Sequence, residues 1–216
     1  MDGLGGHRMS ERHPHQELAM EFGNLDIYLF DQFAKGRFID RPRVLDAGCG
    51  SGRNLVYFLR TGHEVWGVDP NSAAIAGARA LAAALRPDLP PENFATDPIE
   101  ECSFKEQSFD VVLLNAVLHF ATDPAHFEEM LRGAWRFLAP GGLFFCRLAS
   151  SIGIEPHIHP LGDGQFRLGD GSKRFLVDLP ELLEWTERLG GRLLDPIKTT
   201  NVQNLRAMTT WVLERS

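Results

Sequence analysis

The run Val44-Leu45-Asp46-Ala47-Gly48-Cys49-Gly50-Ser51-Gly52-Arg53-Asn54 constrains this chain more than any other stretch. A short apolar segment enters a loop with glycine at alternate positions, and a helix-like segment follows. Glycine reaches positive φ without a Cβ penalty and lets a ligand lie on bare backbone, so this is the form of a strand turning tightly into a helix at a binding site. A second apolar run, Glu64 to Val68, closes on Asp69, near the distance at which nucleotide-binding folds place the acid that holds a ribose. Charge narrows the ligand. Asp46, just before the first loop glycine, would repel a pyrophosphate, and the spacing Gly48-x-Gly50-x-Gly52 with Arg53 behind it is not G-x-G-x-x-G.

The pattern around this loop alternates strand and helix. Strands are expected at 43–47, 64–68, 93–96, 110–115, 143–148, 192–197 and 206–213. Helices are expected at 54–61, from Ser72 to Leu85, and from Pro124 to Leu138 behind the N-cap Asp123; a further one runs from Pro180 to Leu189. Such alternation implies an α/β fold with a mostly parallel sheet and ligands at the carboxyl ends of its strands. Residues 17–36 carry Phe22, Leu25, Leu29 and Phe33 at helical spacing and predict a cap helix over the cleft, with Gly36 as its stop. Residues 149–178 show no comparable periodicity, which predicts an irregular substrate lid. Residues 1–16 are expected to be a mobile tail, and 17–216 a single domain.

S-adenosylmethionine has no phosphate but carries an ammonium, a sulfonium and a ribose diol, which suits an acidic glycine loop followed by a ribose acid. The chain resembles the class I S-adenosylmethionine-dependent methyltransferases over about residues 40 to 150, on several motifs in order. The resemblance implies a three-layer Rossmann-like sandwich, with a seven-stranded sheet whose last strand is antiparallel and helices on both faces. It implies that the loop Asp46 to Gly52, with Asp46, Gly48, Cys49, Gly50 and Gly52, cradles the methionine moiety, that Asp69 takes the ribose, and that Asp97 and Pro98, followed by Ile99, bracket the adenine, with Asn54 and Pro70 as further cofactor contacts. Asn115 and Ala116, at the end of the fourth strand, would line the methyl-transfer site. Phe137 to Gly142 matches the turn into the fifth strand. S-adenosylhomocysteine would be the product. Arg53-Asn54 is similar to the small-molecule methyltransferases of the tellurite-resistance and thiol-methylating type. Asn115-Ala116-Val117 departs from the motif of adenine and glutamine nitrogen methylation.

His119 follows the fourth strand and is the candidate general base, since a neutral imidazole accepts a proton near neutral pH. Arg147 stands inside the apolar run Phe144 to Leu148 and needs a partner, either an anionic substrate group or a structural counter-ion. Tyr28 on the cap helix and Ser150, His157 and Arg174 in the lid complete the candidate substrate contacts. His157-Ile158-His159 with Asp163 has a spacing found in some metal sites, but a solvated loop is the commoner meaning, and no metal is expected.

The formal charge of -7 disfavours nucleic acid and anionic membrane as partners, and leaves a small-molecule acceptor. Three cysteines without metal-ligand spacing suit a reducing cytoplasm. A monomer or homodimer is expected. Two other classes compete: a nucleotide-binding oxidoreductase using NAD, motivated by the same loop, and a non-catalytic module that binds the cofactor without transferring a methyl.

Overall fold

Apolar runs that lack alternation become strands covered on both faces. In a computed structural model, which describes residues 17 and 20–216, this holds for β1 (Arg43–Ala47), β2 (Glu64–Val68) and β4 (Phe109–Asn115). With β3 (Phe94–Ala95) and β5 (Leu138–Ser150) they form parallel pairs in the order β5-β4-β1-β2-β3. The last strand, β11 (Arg206–Arg215), runs antiparallel to β5, and β10 (Lys198–Val202) pairs its other edge. This seven-strand path is the expected sheet. The strand expected at 192–197 is instead split: a short β9 (Gly191–Leu193) adds to the far end of β11, and β10 begins only at Lys198. The expected tail, residues 1–16, lies outside the described residues.

Helices cover the two faces. α1 (Ile27–Ala34), α2 (Val56–Arg60) and α3 (Ser72–Leu85) pack on one face, where Leu29, Phe58 and Ile75 meet Val44, Val111 and Phe145. α4 (Pro124–Trp135) and α5 (Leu179–Arg188) pack on the other, where Phe127, Leu131 and Leu182 meet Leu45, Leu114 and Phe144. Neighbouring positions on β1, β4 and β5 therefore serve opposite layers, as pleating requires. Most of these helix starts have a local cause, a side chain that caps the first turn. Asp123 accepts from the His126 N–H at 3.0 Å, and Asp178 and Glu181 form a reciprocal capping box, each cap contributing about 1 kcal/mol.

The expected cap helix over 17–36 is interrupted. Gly23 sits at φ +62°, and Asp26 accepts from the Tyr28 N–H at 2.9 Å, which starts α1 afresh at Ile27. The expected irregular lid is also folded. β5 continues to Ser150, and β6 (His159–Gly162), β7 (Gln165–Arg167) and β8 (Lys173–Phe175) make a small antiparallel sheet over a third apolar cluster around Ile154, Leu168 and Leu176. Its strands are too short for a periodic signal, so neither β6 nor β8 stands out in the sequence.

Candidate functional site

At the carboxyl ends of β1 and β2 the glycine loop is pinned to the sheet. The Gly48 and Cys49 N–H groups donate to the Val68 carbonyl at 2.7 and 3.1 Å, and Gly52 closes the turn onto the Cys49 carbonyl at 2.9 Å. Asp69 ties the two ends together, one oxygen accepting from the Gly50 N–H at 3.0 Å and the other from the Asn71 N–H at 2.9 Å. Gly48 has φ +76°, and a Cβ there would run into Cγ2 of Val117. Only glycine leaves the space open.

Two cavities border the end of β4. The first, of about 550 Å³, is bounded by Gly48, by Val68 to Pro70, by Pro98 to Glu100 after β3, by Ala116, Val117 and Phe120 after β4, and by His126 and Met130 of α4. The second, of about 260 Å³, is lined by Ala116, His119, Arg147, Ala149, Leu168, Asp170, Ser172, Arg174, Val202, Arg206 and Met208. Ala116 belongs to both and stands at φ +65°, which is uncommon for a residue with a side chain. Its N–H donates to the Arg147 carbonyl at 2.7 Å, so the sheet holds this conformation in place.

At the carboxyl ends of β1 and β4 lie buried polar groups without hydrogen-bond partners among the described residues: both oxygens of Asp46 and the whole amide of Asn115. Asp46 is 1% exposed, and burial pushes its carboxyl up to about 7, with Arg53 opposing and Asp69 adding to the rise. An unpaired buried carboxylate is costly unless a cationic ligand approaches it. Such an arrangement fits S-adenosylmethionine, whose ammonium and sulfonium supply positive charge, while the opening left by Gly48 and the acid at Asp69 suit the rest of the molecule.

His119 sits in a 3-10 turn, Leu118–Phe120, and is buried. Its Nδ1 accepts the Ala149 N–H at 3.3 Å, and burial, with Arg174 and Arg147 adding, lowers its pKa to about 4. A neutral ring whose Nδ1 accepts carries its proton on Nε2. The expected general base is therefore seated as a donor, because its accepting nitrogen is already used.

Several expected contacts move elsewhere. Ser150 is fully buried in the sheet and bonds Thr209 Oγ1 at 2.7 Å, because its strand position faces β11 and not the cavity. His157 is exposed and lines neither cavity, since it ends a 3-10 turn (Glu155–His157) on the outer side; His159 and Asp163 are exposed as well. Among the described residues no group of three His, Cys, Asp or Glu side chains could hold a metal. Tyr28 hydroxyl bonds Thr200 Oγ1, and its ring lies 4.9 Å under the Arg147 guanidinium. Arg147 has its partner in Asp26 at 3.1 Å, a structural ion pair that nevertheless borders the second cavity.

Of the expected cofactor residues, Gly48, Asp69, Pro70, Pro98 and Ala116 line the first cavity. Gly50 and Gly52 shape the loop behind it. Cys49 is packed under the loop, its thiol pushed up by burial, so it presents no reactive group. Asn54 turns to the Asp26 N–H at 3.3 Å, and Asp97 is half-buried beside the lining run that follows it. Glu100 and His126, 3.5 Å apart at the first cavity, were invisible in the sequence because α4 folds over the loop after β3 to bring them together.

A methyltransferase-domain family model matches residues 44–142, which hold both the glycine loop and the end of β4. The phthiotriol/phenolphthiotriol dimycocerosates methyltransferase 1 of Mycobacterium ulcerans is 31% identical, covering 89% of this chain and 79% of its own. The tRNA U34 carboxymethyltransferase of Idiomarina loihiensis is 30% identical over 81% of this chain; the chain spans about half of that relative's length, 53%. Among solved structures, the 1,6-didemethyltoxoflavin-N1-methyltransferase of Burkholderia thailandensis, crystallised with 1,6-didemethyltoxoflavin and S-adenosylhomocysteine, has the same fold. Its TM-score is 0.63 at 21% identity, covering 95% of this chain and 92% of that one. Motif order, sheet path and relatives agree, and the chain belongs to the class I S-adenosylmethionine-dependent methyltransferases.

Proposed function

We propose that this protein transfers a methyl group from S-adenosylmethionine to the O, N or S atom of a small molecule held in the second cavity. The observation that carries the proposal is Ala116, the residue that lines both cavities. When bound, S-adenosylmethionine supplies an electrophilic methyl on a positively charged sulfur. Asp46, with the Asn115 amide at the end of β4, offers the negative and hydrogen-bonding groups that such a cation calls for; Asp69 takes the ribose hydroxyls. Displacement at a methyl needs the acceptor atom in line and water excluded, and orientation of this kind contributes up to about 7–11 kcal/mol in favourable intramolecular cases. Ala116 fixes the opening, and Val117 and Phe120 on one side and Ala149 and Met208 on the other keep it apolar. His119 orients the acceptor by donating from Nε2 and takes no proton. The enzyme therefore suits acceptors that arrive with a free lone pair.

A small molecule is favoured over tRNA by the size of the second cavity and the charge of -7, which opposes docking on a polyanion. No helix among the described residues is long and apolar enough to cross a membrane. The three free, buried cysteines suit the reducing cytoplasm in which we place it.

The test is thermal unfolding with S-adenosylmethionine, S-adenosylhomocysteine, NAD and NADP, followed by acceptor screening by mass with small metabolites and purified tRNA as separate arms. Ligand at about 100 times Kd stabilises by about 2.7 kcal/mol. A shift with the first two alone, then a gain of one methyl on a small product, is expected. Stabilisation by a dinucleotide only, or methylation of tRNA only, would refute the proposal.

A further inference from the structure

The second cavity carries a charge opposite to that of the chain. Arg147, Arg174 and Arg206 face it, against the single carboxylate of Asp170, on a protein of net charge -7. Arg147 is neutralised from behind by Asp26 at 3.1 Å. Arg174 and Arg206 have no such partner within ion-pair distance among the described residues. Arg174 donates to its neighbour's carbonyl, Lys173 O, at 2.7 Å and lies 5.1 Å above the Phe120 ring, and Arg206 starts β11. Asp170 is committed to its own turn, accepting the Ser172 N–H at 2.9 Å, and its carboxyl is held below the usual range by that turn, with Arg206 and Arg174 adding to the effect.

These two arginines come from different parts of the chain. β8 of the small sheet brings Arg174, and the β10–β11 hairpin brings Arg206. Guanidinium pairs of this sort recognise carboxylate and phosphate oxygens through charge-assisted hydrogen bonds. His119 lines the same cavity, where burial first, and then the charges of Arg174 and Arg147, disfavour its protonation.

We propose that the methyl acceptor is a small organic oxyanion, a carboxylate or a phosphate ester, whose charged group is held between Arg174 and Arg206 while its nucleophilic atom lies toward Ala116. That a methyl acceptor binds here rests on the methyltransferase reading; that it is an oxyanion rests on the arginines of the cavity alone. Arg174 and Arg206 are thus specificity residues, delivered to the cavity by the small sheet and the hairpin.

The experiment is titration calorimetry of the full chain, free and saturated with S-adenosylhomocysteine, using benzoate and phenyl phosphate as anionic probes and benzamide and phenol as neutral ones. Either anion should bind at least about tenfold more tightly than its neutral counterpart. Arg174→Gln with Arg206→Gln should remove that preference while the affinity for S-adenosylhomocysteine stays within about threefold. The tighter of the two anions tells carboxylate from phosphate, and either order supports the inference. Equal binding of benzamide and benzoate, no binding of either anion, or a preference that survives in the double variant would overturn it. The wild-type comparison needs no variant to fold. If S-adenosylhomocysteine itself fails to bind, the methyltransferase reading falls, and the anion titration of the free chain still decides this inference.

Discussion

Replacing Asp46 with asparagine separates what the glycine loop does for stability from what it does for binding. The carboxyl is 1% exposed, partnerless, and raised from 3.8 to about 7. Each tenfold in proton affinity is worth about 1.4 kcal/mol, so full ionisation in the native state costs about 4 kcal/mol. The sign follows from proton uptake. Between pH 4 and 7 the folded chain holds a proton that the unfolded chain has released, so this group's contribution is fully present at low pH and is lost as pH rises through 7. Asp46→Asn removes the dependence. His119 works in the opposite direction, its pKa lowered from 6.5 to about 4, so the wild-type profile alone mixes the two. The difference between variant and wild type isolates Asp46. In urea unfolding the variant should gain about 4 kcal/mol relative to wild type between pH 4 and pH 8, a large share of the ~5–15 kcal/mol of a typical domain. The same variant should bind S-adenosylmethionine at least about tenfold more weakly at pH 8. A difference flat with pH would refute the buried, unpaired carboxylate; undiminished binding would refute its role toward the cofactor.

Gly48→Ala places a methyl against Val117 at a positive φ, and should lose about 2 kcal/mol of stability together with S-adenosylhomocysteine binding, read by thermal unfolding and calorimetry. Thr186→Val removes the acceptor of the buried Trp211 Nε1–H, 3.0 Å away, and should cost about 1–3 kcal/mol in urea unfolding with cofactor affinity unchanged. His119→Gln should spare the chain an acid penalty: wild type loses about 3 kcal/mol relative to it as pH falls from 6.5 through 4, and parallel profiles would show that the ring is not held neutral.

Local chemistry made most of the frame legible. Asp123-Pro124 starts α4 where a cap followed by a proline-compatible first turn requires it, and the runs at 43–47 and 64–68 are strands because they have two apolar faces to bury. Where competing local signals were weaker, the boundaries moved. Phe22 to Phe33 has helical spacing throughout, yet Gly23 and the Asp26 cap break it, and the turn expected around Pro140 is absorbed into a long β5 with Gly141 at φ +73°.

The candidate site divides along the same line. Gly48, Asp69, Pro70 and Pro98 were readable because the loop and the strand ends that carry them are contiguous motifs, and backbone geometry at those points is set within a few residues. Ser150 and His157 were misplaced because their proximity to β5 says nothing about which way the pleat turns them. Glu100 with His126, Arg174 with Arg206, and the exclusion of His119 Nδ1 by the Ala149 N–H join residues at least 26 positions apart. The sequence by itself determined the alternating elements, the glycine loop and the acid that closes onto it. The tertiary structure decided which cavity each polar group faces and what charge it meets there, because burial and field are properties of groups brought together only when the layers pack.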